Sequence, residues 1–132
     1  MPASSAPSFI ARGDIPPSRF VIQNGTDHGV VVATDGAKAV GVSYEGTRDA
    51  PIEGVTPLAA KDGEGVNVYT ETMPCEIVAG ADIDAGDELK PGTAGVAVPA
   101  APGDHYSAIA RASALNGQRV KATVTKGYLP PT

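Results

Sequence analysis

Short β-branched runs, each closed off by glycine or proline, limit what this chain can become. RFVIQ, VVVAT, GVNVYTE, PCEIVAG and GVAVP are too short for stable helices. They have the Val-rich, alternating character of strands, with NG, DG and PG turns between them. Glycine supplies 16 and proline 12 of the 132 residues, so the chain reverses direction often. An all-β fold follows: a small antiparallel β-barrel or sandwich. With no Trp, two Phe and a 42% apolar fraction dominated by Ala and Val, its core is thin and built from small side chains. A single domain of this length buries such a core without staples.

The pattern divides the chain. Residues 1–17 hold Pro2, Pro7, Pro16 and Pro17, which interrupt helix and central strand alike, and read as an extended arm with Phe9 and Ile10 as apolar anchors. Residues 18–132 read as one β domain. It opens as a meander, in which RFVIQ, VVVAT and AKAVGVSYEG pair in succession across Asn24-Gly25 and Asp35-Gly36. Residues 46–64 show no period and read as an irregular excursion. Alternation places Val66 and Val68 on one face, and Val120, Ala122 and Val124 on another strand's inner face. YSAIARASAL reads as a strand joined through Asn116-Gly117 to QRVKATVTKG, and residues 127–132 form a Pro-containing tail. ATDGAKAVGVSYEG and PGTAGVAVPAAPGD echo each other loosely, too weakly for a repeat array.

Few residues invite chemistry. Asp82, Asp84, Asp87 and Glu88 crowd one stretch, but counting from Asp82 leaves three diagnostic positions of a calcium loop unfilled. No neighbouring cleft partner splits the carboxylates into acid and base, so Asp84-Ala-Gly-Asp87 reads as a turn, with Ile83 and Leu89 inward. Asp27-His28 and Asp104-His105 are adjacent pairs whose side chains diverge on a strand. Arg12-Gly13-Asp14 spells the integrin-binding tripeptide, a three-residue match that arises often by chance, and no G-x-S-x-G elbow occurs. No catalytic residue, metal or cofactor is expected. A net charge of −5 disfavours nucleic acid, no apolar stretch is long enough to span a membrane, and the N-terminal residues lack the pattern of a signal peptide. The lone Cys75 suits a reducing compartment or a buried thiol.

Three phrases in order resemble the small β-barrel decoration, or cement, proteins of tailed-phage capsids. They are RFVIQNG through AVGVS, AGADIDAGDELKPGTAGVAVPA, and GDHYSAIARASALNGQRVKATV. The resemblance implies a non-enzymatic virion protein, made in the host cytoplasm and bound to the outer surface of the head. There it would bridge major capsid subunits and brace the expanded shell, as a homo-oligomer, a trimer ahead of a dimer. Partner contacts are then expected where the chain departs from the family, at Phe9, Ile10, Arg12 and Ile15 in the arm and Tyr128 and Leu129 in the tail. The competing reading is a receptor- or glycan-binding adhesion module, which calls for exposed aromatic platforms that four Tyr and no Trp supply sparingly.

Overall fold

The structure, a computed structural model, describes residues 8–24, 28–44 and 58–131. Its recurring local element is a four-residue turn with glycine third and a side-chain acceptor fourth, found at 61–64, 84–87, 101–104 and 115–118. In each, the fourth N–H donates to the first carbonyl at 2.9–3.1 Å. The fourth side chain (Glu64, Asp87, Asp104 or Gln118) accepts the first N–H at 2.9–3.0 Å. The third residue sits at φ +87° to +92°, where a Cβ would crowd its own carbonyl.

Ten strands follow from this punctuation: β1 (Ser8–Ala11), β2 (Phe20–Gln23), β3 (Gly29–Val32), β4 (Gly41–Ser43), β5 (Gly65–Tyr69), β6 (Pro74–Val78), β7 (Glu88–Pro91), β8 (Ala97–Pro99), β9 (His105–Ala110) and β10 (Arg119–Tyr128). The first five close a barrel in the order β1-β3-β2-β4-β5, with β1 parallel to β3 and the other pairs antiparallel. The second five form a five-stranded sheet in the order β6-β10-β9-β7-β8, which a single parallel bridge from Ala79 to Ala97 draws round into a second barrel. Traced from β6 the other way, this is β6-β8-β7-β9-β10, the first order with every label advanced by five.

The chain is thus an internal duplication, and its backbone bonds repeat. Ile15 and Ala60 exchange N–H···O bonds at 2.9 and 3.3 Å, as Ile83 and Ala114 do at 2.8 and 2.9 Å. Ala11 donates to Glu64 and accepts from Gly63, while Ala79 donates to Gln118 and accepts from Gly117. Arg12 N–H to Val30 O at 2.8 Å recurs as Gly80 N–H to Ala97 O at 2.7 Å. The cross-strand run Phe20↔Val42↔Tyr69 recurs as Glu88↔Ile109↔Thr123.

Side-chain alternation then joins the two barrels. On β2, Val21 points into the first barrel's core with Ala11, Ile15, Val30, Ala60, Val66 and Val68. Its neighbour Phe20 points outward, and with Ala33, Ala39 and Val42 enters the second core, among Ile77, Ile83, Leu89, Val120 and Val124. Main-chain bonds fix the junction, with Val78 N–H to Ser18 O and Gly36 N–H to Pro91 O, both at 2.9 Å. Gly95, at φ +78°, lies so close to β2 that an added Cβ would meet Phe20 O at 2.7 Å. In the second barrel the places of Phe20, Ile22 and Tyr69 are taken by the polar Glu88, Lys90 and Thr123, half-buried on a face that no further barrel covers among the described residues.

Several expectations change. Within the segment read as an arm, residues 8–17 belong to the first barrel: β1 pairs with both β3 and β5, and Ile15 bridges Ala60. The prolines deceive because they build a turn. Pro16 O accepts the buried Ser43 hydroxyl at 2.7 Å, and Ser18, at φ +57°, stands where the second barrel has Gly86. The meander is also corrected, since β4 pairs with β2 and not with β3, putting Val42 at the junction. β9 stops at Ala110, because residues beyond it form the Ala114 bridge. The echo falls on other segments: residues 33–43 correspond to 100–110, with Ala33 N–H to Phe20 O matched by Ala100 N–H to Glu88 O. The tail begins later than residue 127, for β10 runs to Tyr128 and Leu129 exchanges bonds with Gly103 and Asp104. Of the irregular excursion, 58–64 form the Ala60 bridge and a turn. Residues 1–7 of the arm, 46–57 of the excursion, Gly25, Asp27 and Thr132 lie outside the described residues.

Candidate functional site

The residues expected to touch a partner are dispersed. β1 sends Phe9 toward the first core, edge-on to the His28 ring at 6.0 Å, and leaves Ile10 36% exposed on the other face. The two therefore do not act as paired anchors. Arg12 is exposed, whereas Ile15 is fully buried and is no surface contact: its alternation from Ala11 places it in the core. In the tripeptide, the Asp14 carboxylate accepts the Asp62 N–H at 3.2 Å. Tyr128 and Leu129 lie in the second barrel, with Tyr128 49% exposed.

The acidic stretch is occupied by backbone. Asp87 accepts the Asp84 N–H at 2.9 Å and Asp82 the Asn116 N–H at 3.0 Å, while Ile83 and Leu89 are buried as expected. The Asp82 contact is one half of a local two-fold arrangement about the Ile83–Ala114 bridge, its counterpart being Ala85 N–H to Ser113 Oγ at 3.3 Å. Cys75 is a buried thiol.

A groove of about 340 Å³ lies where the end of β10 meets the β3–β4 connection. Lys38 comes from the first barrel; His105, Tyr106, Ser107, Lys126 and Tyr128 come from the second. A register shift in β10 between Val124 and Gly127 re-aims the strand end. Gly127 leaves room for the Tyr106 ring, whose phenol end would lie 2.3 Å from an added Cβ. His105 and Tyr128 meet at 4.8 Å between ring centroids, tilted by 48°. Ser107, buried at the groove floor, accepts the Ala39 N–H at 3.3 Å and ties the two barrels beneath it. Outside the groove lining, Lys90 pairs with Asp104 at 2.9 Å; that hydrogen bond, then one from the Ala101 N–H, holds the Asp104 carboxyl below its ordinary value. At the opposite side of the junction, burial and then the nearby charge of Arg119 lower the pKa of the Arg19 guanidinium, which donates to Ala94 O at 3.1 Å.

Of the groove residues, sequence reasoning assigned Tyr128 to a partner contact and set His105 aside as one of a diverging Asp-His pair. The signal for the rest was Asp104-His105-Tyr106 facing Lys126-Gly127-Tyr128 across one hairpin, legible once β9 and β10 are set in register.

Both the doubled barrel and the groove are thus defined, and the fold has a solved counterpart. It is the fold of a phage head-fibre base. The head fiber gp8.5 N base of bacteriophage phi29 superimposes with a TM-score of 0.56 over 91% of this chain and 92% of that one, at 22% sequence identity. No protein-family model and no curated protein matches the sequence.

Proposed function

We propose that this chain is a non-enzymatic structural protein of a phage virion, seated on the outer surface of the head. There it bridges neighbouring major capsid subunits as a homo-oligomer, a trimer ahead of a dimer, and braces the expanded shell. One observation carries the reading: the whole duplicated barrel, over nine-tenths of both chains, has the fold of a head-fibre base. The sequence phrases that resemble capsid decoration proteins support it independently, and the acidic balance of −5 suits a surface turned away from packaged DNA. Ile10 and Arg12 have exposed side chains available for such contacts. Affinity comes from repetition, because many weak attachments to a lattice add to strong retention.

Co-sedimentation with purified expanded heads tests this, alongside native mass spectrometry of the free protein. The expected outcome is saturable binding at a fixed copy number per head and a raised disruption temperature for the decorated shell. Absence of binding to expanded heads at saturating protein would overturn it.

A further inference from the structure

The groove between the two barrels is built to hold a ligand, and we propose that this ligand is an acidic saccharide, a pyranose bearing a carboxylate or sulfate. The inference is independent of head attachment and concerns a different partner.

The argument begins with the rings. The phenol end of Tyr106 rests on Gly127, a placement no other residue at position 127 permits without displacement. Beside it, Tyr128 is half exposed and braced by His105. Such rings present the apolar surface on which the C–H face of a sugar packs, and their polar ends leave hydroxyl partners at the edge. Charge comes next. Among the described residues no acid lines the groove, in a chain with a net charge of −5. Lys38 and Lys126 flank the rings from opposite barrels and form no ion pair among the described residues. The nearest carboxylate along the chain, Asp104, is engaged by Lys90. Two ammonium groups, unpaired among the described residues and beside an aromatic wall, select a ligand that is both apolar on one face and anionic at its edge. A volume of about 340 Å³ suits one or two sugar rings.

An acidic peptide satisfies the charge but not the backbone. The open edge of β10 at Lys126 is capped, because the Glu71 carboxylate accepts the Lys126 N–H at 3.1 Å. An added peptide strand finds that donor taken.

The test uses the full chain and short oligogalacturonates, followed by NMR of the tyrosine and histidine rings and by calorimetry. Neutral malto-oligosaccharides of equal length and poly-L-glutamate serve as the other arms. Oligogalacturonate should shift Tyr106, Tyr128 and His105 selectively, with affinity falling as salt rises. Tyr128→Ala, and the pair Lys38→Ala with Lys126→Ala, should each weaken binding by at least about tenfold. Tyr128→Phe should retain it, and Leu115→Ala, exposed and remote from the groove, should leave it unchanged. Thermal unfolding of each variant confirms that it is folded. No ring shifts at millimolar oligogalacturonate, equal binding of the neutral oligosaccharide, or equal binding of poly-L-glutamate would each overturn the proposal, the last in favour of an acidic peptide.

Discussion

Phe20→Ala tests whether the two barrels stand or fall together. Phe20 belongs by sequence to the first barrel, but its fully buried side chain lies in the core of the second. Removing a buried phenylalanine costs about 3–5 kcal/mol, since the lost transfer energy adds to the cavity left behind. At roughly 0.05–0.15 kcal/mol per residue, a chain of 132 residues has about 7–20 kcal/mol in total. The substitution thus removes a large share of it. With a urea dependence of about 2 kcal/mol per molar, the midpoint should fall by about 1.5–2.5 M. The tyrosines sample both barrels: Tyr44 and Tyr69 belong by strand to the first, Tyr69 on the face that packs against the second core, and Tyr106 and Tyr128 belong to the second. Fluorotyrosine NMR across a urea series should show all four resonances shifting their midpoints together. Val21→Ala, one residue on and directed into the first core, should give a smaller loss. If Phe20→Ala moves Tyr44 and Tyr69 while Tyr106 and Tyr128 keep their wild-type midpoint, the barrels are independent and the shared-core argument fails.

Gly95→Ala should cost about 2–4 kcal/mol by chemical denaturation, through its positive φ and a Cβ forced against Phe20 O. Gly13→Ala, whose Cβ meets nothing within 4 Å, should stay within about 0.5 kcal/mol of wild type. Asp87→Ala should destabilise by about 0.5–1.5 kcal/mol and speed amide exchange at Asp84, while Asp87→Asn, which keeps an acceptor oxygen, should lose less. Asp104 sets a pH dependence. Its folded pKa is depressed, so its contribution is complete above the unfolded value near about 4 and vanishes as pH falls through the lower folded value. Asp104→Asn should accordingly flatten the acid limb of a melting-temperature profile below about pH 4, and an NMR titration of the carboxyl should place its midpoint under the usual range.

Strands were legible wherever a short alternating run met a glycine turn. Val66 and Val68 in β5, and Val120, Ala122 and Val124 in β10, face inward as the pattern requires. The acidic turn was legible too, because Asp84-Ala-Gly-Asp87 carries its own local hydrogen bonds. Long-range pairing was not. β4 joins β2 across the width of the barrel, and nothing in AKAVGVSYEG distinguishes that partner from β3. Residues 8–17 were misread because Pro16-Pro17-Ser18 does the work of Asp84-Ala85-Gly86 without resembling it. The duplication escaped notice for a related reason. It is carried by main-chain bonds, while equivalent side chains diverge according to what covers them: Phe20 against Glu88, Ile22 against Lys90. Of the candidate site, Tyr128 was found and its neighbours were not, since the groove exists only where two barrels and a shifted strand converge.

That divergence also determines how many modules can be stacked. The first barrel offers its neighbour a greasy plate, and the second ends in Glu88, Lys90 and Thr123 at the same positions. A pile of repeats grows only while each top matches the next bottom. Here the upper surface is wetted, so it gives a further module no matching plate to stack on. Restoring phenylalanine, isoleucine and tyrosine at those three places would remove the stop.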